Sequence, residues 1–163
     1  MQKPIRRLPN WQRRLANTIA TAHQVPFEWG KWDCAMAACR LIHAQTGIDI
    51  GEKFRGTYAT EADAIALIGA KLVNFAAGTT EEQIQELKAQ NLGNFAAEIA
   101  QSFGMQEVEP NYARRGDLVL VNNGTPGGAM GVVGLDGRYA HCAAESGMKR
   151  IAIHRWLRAW RVE

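Results

Sequence analysis

A chain of 163 residues, 47% hydrophobic and 21% charged, has the size and balance of a globular fold with its own core, which excludes a disordered or fibrous protein. A net charge of +3 is too small to imply a nucleic-acid partner without a basic stripe. They gather only at the ends, as Arg6, Arg7, Arg13 and Arg14 and then from Lys149 to Arg161.

Asn10 is the expected cap of a first helix in which Trp11, Leu15 and Ile19 recur four apart, with Arg13, Arg14 and Asn17 on the other face. That segment is amphipathic, so it is neither a signal peptide nor a span, and no apolar run is long enough to cross a membrane. The expected place of synthesis is a reducing cytoplasm. A second helix starts at Cys34 behind Asp33, packs beside the first, and stops at Gly47. An extended piece, Ile48 to Gly51, leads to a loop holding Phe54, Arg55, Gly56 and Tyr58. Thr60 opens a third helix with Asp63 three residues on. Gly69 to Gly78 reads as a break with a short strand at Leu72-Val73. Thr79 or Thr80 caps a helix from Glu81 to Gln90, and a separate helix from Asn94 to Phe103 ends at Gly104.

The C-terminal third changes period. Gly116-Asp117-Leu118-Val119-Leu120-Val121 is a buried strand by its branched apolar run, followed by turn signals from Asn122 to Gly128. Residues 129–133, 138–142 and 150–153 continue as strands with turns at Asp136-Gly137 and Ser146-Gly147, short enough to demand antiparallel pairing. Trp156, Trp160 and Val162 pack on the sheet as a last strand or segment. The expected class is α+β, one domain over 1–163, with helices at about 10–104 and an antiparallel sheet of four to six strands at about 105–163.

Chemistry concentrates at Phe27-Glu28-Trp29-Gly30-Lys31-Trp32-Asp33-Cys34. A cysteine in the first helical turn meets free amides and the positive end of the helix dipole, which favour the thiolate and so the nucleophile. Burial as a small hydrophobe is the competing reading, and Cys39 fits it better. Trp29 and Trp32 flank the thiol, either as walls of a substrate groove or as packing for the helix start. The three cysteines make neither a disulfide framework nor a zinc pattern, because the one close pair is Cys34 and Cys39 and His141 adjoins Cys142. No metal or cofactor is expected. His23, His43 and His154 read as packing or surface residues.

Asp33-Cys34-Ala35 on its helix, then Gly116-Asp117-Leu118-Val119-Leu120, then Gly128-Ala129-Met130-Gly131-Val132-Val133 through Ala140-His141, resemble the NlpC/P60 cysteine peptidases. Trp11…Leu15, Phe27-Glu28-Trp29-Gly30 and Ala159-Trp160-Arg161-Val162 look like a phage tail-associated branch of that superfamily. The resemblance implies a papain-like fold, a cell-wall peptide or related amide as ancestral substrate, and attack by a thiolate with a sheet histidine moving the proton. It makes Cys34 the nucleophile and His141 the orienting residue, while the position of the base is occupied by Ala129. Alanine accepts no proton, and a general acid or base supplies about 10²–10⁴ in rate.

Two readings follow from the resemblance. In one, the chain is a tail tip or baseplate component of the virion, made in the host cytoplasm, whose weakened or inactive hydrolase fold is kept for assembly with other tail proteins. In the other, it is an active murein peptidase or amidase that uses Cys34 with His141 as improvised base and peptidoglycan as substrate. On a strand, however, His141 and Cys142 face opposite sides, so only one of them can point at Cys34.

Overall fold

The computed structural model describes residues 4–69, 80–125 and 127–163, with the backbone alone for residues 69 and 81–90. The fold is α+β. Helices α1 (Trp11–Ala22), α2 (Cys34–Thr46), α3 (Glu61–Gly69) and α4 (Glu81–Ser102) precede strands β1 (Glu107–Val108), β2 (Leu118–Val121), β3 (Ala129–Val133), β4 (Tyr139–Ala144), β5 (Gly147–Ala152) and β6 (Trp156–Trp160). The expected short strand at Leu72-Val73 lies outside the described residues.

Helix α1 packs along α2 as its apolar stripe requires, with Leu15 buried and Trp11 and Ile19 against the same core. Asn10 occupies the N-cap position without a side-chain cap bond; the Trp11 amide bonds the Leu8 carbonyl instead. Arg14 turns from the solvent face toward α2 and donates from Nε to the Ala44 carbonyl, in the last turn where the dipole favours a cation. Gly47 takes the left-handed conformation at φ 72° and ends α2. Beyond it residues 48–49 belong to no helix or strand and a run of turns begins at Ile50, so the expected extended piece forms no strand. Thr60 caps α3 by accepting from the Asp63 amide at 3.1 Å.

One expectation fails at α4. The two helices expected at Glu81 to Gln90 and Asn94 to Phe103 are a single helix of 22 residues. Gly93 does not break it. A Cβ there would stand 3.1 Å from both Arg158 Nη1 and Leu120 Cδ2, so glycine lets α4 lie close on β2 and β6. Ala96 and Ala100 continue that small-residue contact, and Asn94 accepts from Arg158 at 3.1 Å.

The sheet order is β1-β6-β2-β3-β4-β5, every pair antiparallel. Strands β2 to β5 form the expected meander, but β6 returns to the opposite side of β2. One face, through Leu118, Leu120, Met130, Val132 and Trp160, joins Leu15, Leu41 and Ile42 of the helices in the main core. The other gathers Val119, Val121, Ala129, Val133, Ala140, Cys142 and Trp156. Both faces being buried explains why β2 and β3 read as continuous apolar runs rather than alternating ones. The β2–β6 register shifts by one residue between Leu120 and Val121, leaving Leu157 unpaired and 51% exposed. That shift lets Trp156 and Trp160, four apart on one strand, serve opposite faces.

Asp117, just before β2, is fully buried and binds four groups. Its Oδ1 accepts from the Val162 amide at 3.0 Å and Arg7 Nη2 at 3.2 Å; its Oδ2 accepts from the Arg114 amide at 2.8 Å and Arg161 Nε at 3.3 Å. Burial still holds the carboxyl above the ordinary aspartate value, against the pull of those amides and guanidiniums. A buried ion pair of this kind adds little over an apolar substitute, yet removing one member strands the others. Gln45, also fully buried, reaches across from α2 to the Gly116 carbonyl at 3.0 Å. Gly116 has φ +84°, and a Cβ there would fall 2.1 Å from Gln45 Oε1. Asp117→Ala is therefore expected to cost about 3–5 kcal/mol in urea unfolding, because two guanidiniums and two amides lose their partner. A loss below about 1 kcal/mol would show that the carboxylate does not tie these segments together.

Candidate functional site around Cys34

The segment before α2 is built around Asp33. Its Oδ1 caps the helix by accepting from the Met36 amide at 2.9 Å, and its Oδ2 accepts from the Gly30 amide at 2.9 Å and from the Tyr58 hydroxyl. Gly30 has φ +83°, and a Cβ there would sit 1.9 Å from the Tyr58 carbonyl oxygen. Only glycine lets the 51–58 loop approach this closely, and the Gly56 amide completes the contact on the Gly30 carbonyl at 2.9 Å.

Cys34 follows directly, half-buried and packed against the second cluster of the sheet. Burial pushes its thiol up to about 11; backbone hydrogen bonds from Met130, Ala35 and Cys34 itself oppose this, and the negative charge of Asp33 reinforces it. The expectation of a thiolate fed by the helix dipole is thus reversed, for a physical reason. Burial of the sulfur outweighs the amides of the helix start that reach it, and the capping Asp33 carboxylate adds to the shift. Cys39, in the middle of α2, is pushed up to about 12, again chiefly by burial and next by Asp49. The phenol of Tyr58 is raised as well, by burial first and then by its hydrogen bond to Asp33.

The sheet side supplies no imidazole in the expected place. Ala129 opens β3 buried in the second cluster, opposite Val121. On β4, Ala140 and Cys142 project into that same cluster, and Cys142 feels the charge of Cys34. His141, one residue away, projects from the other face, opposite Val132. Its ring lies over Gly134, where a Cβ would meet Nε2 at 2.6 Å, and its electrostatic partners are Arg150 and Asp136. Burial and Arg150 lower its pKa, with Asp136 opposing. Of the two neighbours His141 and Cys142, the strand therefore turns the thiol, not the imidazole, toward Cys34.

The flanking tryptophans divide. Trp32 is buried against Ala22, Ala37 and Ala143 and packs the start of α2. Trp29 is half-exposed and meets Phe27 edge to face, with ring centroids 5.0 Å apart. A cavity of about 510 Å³ opens elsewhere, between the loop after α2 (Ile48, Phe54) and the end of α4 (Ile99, Phe103). Among the described residues no cluster of His, Cys, Asp and Glu has the makings of a metal site, and no helix is long and apolar enough to cross a membrane.

Sequence reasoning reached the Asp33 cap and the helix start at Cys34. It missed Tyr58, whose bond to Asp33 spans 25 positions and leaves no local pattern. It also read Gly116-Asp117 as a strand opening alone. The only cue to Gln45 was a polar residue among the apolar positions of α2.

Residues 6–162 match the model of a family described as a domain of unknown function, DUF6950. The chain belongs to this family. No curated protein matches it. The DUF6950 match runs from Arg6 to Val162 and so takes in the Cys34 helix, the whole sheet and the Asp117 contacts at both ends.

The thiol shifts in this DUF6950 chain fix a sign for the pH dependence of stability. Cys34 and Cys39 have folded values above the usual 9.0, so the folded state holds protons that the unfolded state releases between about 9 and 11. Stability is full below pH 9 and falls as pH rises toward 11. Denaturant midpoints at pH 8 and pH 10.5 are expected to show this drop, and Cys34→Ala to reduce it. An unchanged slope in the variant would mean that the thiol is well hydrated.

Proposed function

We propose that this protein is a structural component of a phage tail tip or baseplate, built on an NlpC/P60-like, papain-like scaffold whose thiol site no longer runs hydrolysis. One observation carries the reading. The sulfur that the scaffold would use as nucleophile has a carboxylate and a second thiol as its neighbours, and the strand position of the base holds a buried alanine. With the thiol at about 11, roughly one molecule in 10⁴ carries a thiolate at pH 7. The proton-transfer step lacks an acceptor in addition. The scaffold itself remains well built, with its helix cap, its buried carboxylate and its two-faced sheet all satisfied. That combination suits a part retained for shape and for contacts with other tail proteins, without nucleic acid or membrane insertion.

The resemblance to the tail-associated branch supports the location, and the vacancy at Ala129 supports the loss of activity. Purified protein is expected to release no peptide or amine from peptidoglycan, and virions carrying Cys34→Ala are expected to assemble and infect as the parent does. Iodoacetamide is expected to label Cys34 near neutral pH about a hundredfold more slowly than a free thiol, the ratio of the two thiolate fractions. Turnover that Cys34→Ala abolishes would overturn the proposal in favour of a working peptidase.

A further inference from the structure

The basic residues at the two ends of the chain meet in the fold, and they meet a third pair, Arg114-Arg115. Arg7, from before α1, and Arg161, from just after β6, both reach the fully buried Asp117, at 3.2 Å and 3.3 Å. Each also pins the turn that leads into Asp117. Arg7 Nη2 donates to the Arg115 carbonyl at 2.7 Å, and Arg161 Nη2 donates to the Tyr112 carbonyl at 2.6 Å. The Arg114 amide adds its own bond to Asp117 at 2.8 Å, and Ala113 packs against the second cluster of the sheet. The ring of Pro110 stiffens the entry, a 3₁₀ turn over Pro110–Tyr112. This short stretch of backbone is therefore held from both ends of the chain.

Its side chains are left free. Tyr112 is 71% exposed. Arg114 and Arg115 are exposed too, and neither guanidinium has a hydrogen-bond or ion-pair partner among the described residues. The stem of Arg115 lies over the β3–β4 turn, where a Cβ on Gly137 would meet its Cγ at 3.6 Å. Arg7 has Arg115 and Arg161 as like-charged neighbours and only Asp117 and Glu163 opposite them, and Asp117 already serves four donors.

We infer that the turn Tyr112-Ala113-Arg114-Arg115 is a docking surface for an acidic segment of a partner protein. Tyr and Arg are the side chains that carry most binding energy at interfaces, and a guanidinium takes a carboxylate through two parallel bonds. Holding the turn in advance removes part of the ordering cost of association. A nucleic acid fits less well. Glu109 beside Tyr112, Asp136 beside Gly137 and Glu163 beside Arg7 fringe the patch and repel a continuous phosphate chain, whereas a folded partner can set its own cations opposite them.

The surface does not depend on the scaffold reading, because neither Cys34 nor Ala129 takes part in it; turnover on peptidoglycan would sink that reading and leave this one untouched. Fluorescence anisotropy of a labelled oligoglutamate peptide on the intact chain tests it, beside a single-stranded oligonucleotide of equal charge. The peptide is expected to bind the more tightly of the two. Arg114→Ser combined with Arg115→Ser is expected to weaken peptide binding about tenfold. Lys149→Ser combined with Arg155→Ser removes the same charge from β5 and from the far end of β2, and is expected to change it less than about twofold. Arg161→Lys keeps the charge but loses the fork that spans Asp117 and the Tyr112 carbonyl; with folding checked by circular dichroism, it is expected to weaken binding about threefold. Equal losses in the two double variants would reduce the surface to net charge and overturn it, as would an Arg161→Lys protein that binds like the parent. Tighter binding of the oligonucleotide would overturn the protein partner in favour of a nucleic acid, and no binding of the peptide by the parent would overturn the surface outright.

Discussion

The carboxylate of Asp117 is the constraint on which the architecture depends. It holds a segment before the first helix through Arg7, the entry to β2 through the Arg114 amide, and the end of the chain through Val162 and Arg161. These groups are about 110 and 45 positions away from Asp117 at the extremes. Each is a donor, and the two guanidiniums also reach carbonyls, Arg7 that of Arg115 and Arg161 that of Tyr112. With the chain end held there, β6 pairs with β2 rather than extending the meander beyond β5, and β1 pairs on β6 in turn. The helices meet the same place through Gln45, whose amide bonds the Gly116 carbonyl and whose oxygen stands where a larger residue at 116 would intrude.

A second carboxylate organises the other end of α2. Asp33 satisfies the Met36 and Gly30 amides and the Tyr58 hydroxyl at once, which shapes the approach to the helix and anchors the loop that returns from its far end. The same arrangement determines the state of the adjacent sulfur. A helix start can activate a thiol through its free amides; here the Ala35 and Cys34 amides do reach the sulfur, but burial outweighs them and the Asp33 charge adds to burial. Burial is thus the main reason that Cys34 stays protonated, and the carboxylate that caps the helix adds to it. An imidazolium close by could reverse the balance, but Ala129 carries no imidazole and His141 turns toward Gly134, Asp136 and Arg150.

These two carboxylates lie at opposite ends of one helix, and between them α2 packs against α1, against β3 and β4, and against the loop carrying Gly51, leaving Arg40 exposed.

Much of this was legible along the chain. Asp33 as cap, Gly47 as stop, the Thr60–Asp63 start, the α+β order and the antiparallel meander all rest on local rules of capping, turn geometry and period, which act over a few residues. The continuity of α4 was not legible, since Gly93 looks the same in sequence whether it ends a helix or lets one approach a sheet. Three matters were decided only in the folded chain: the place of β6 between β1 and β2, the partners of Asp117, and the direction in which β4 turns His141 and Cys142. Each depends on which distant segments meet, and registry and long-range charge pairing leave no mark in local spacing. Residue order by itself thus determined where the elements start and stop and which chemistry was available, while tertiary packing decided which groups face one another and, through burial, that the Cys34 thiol keeps its proton.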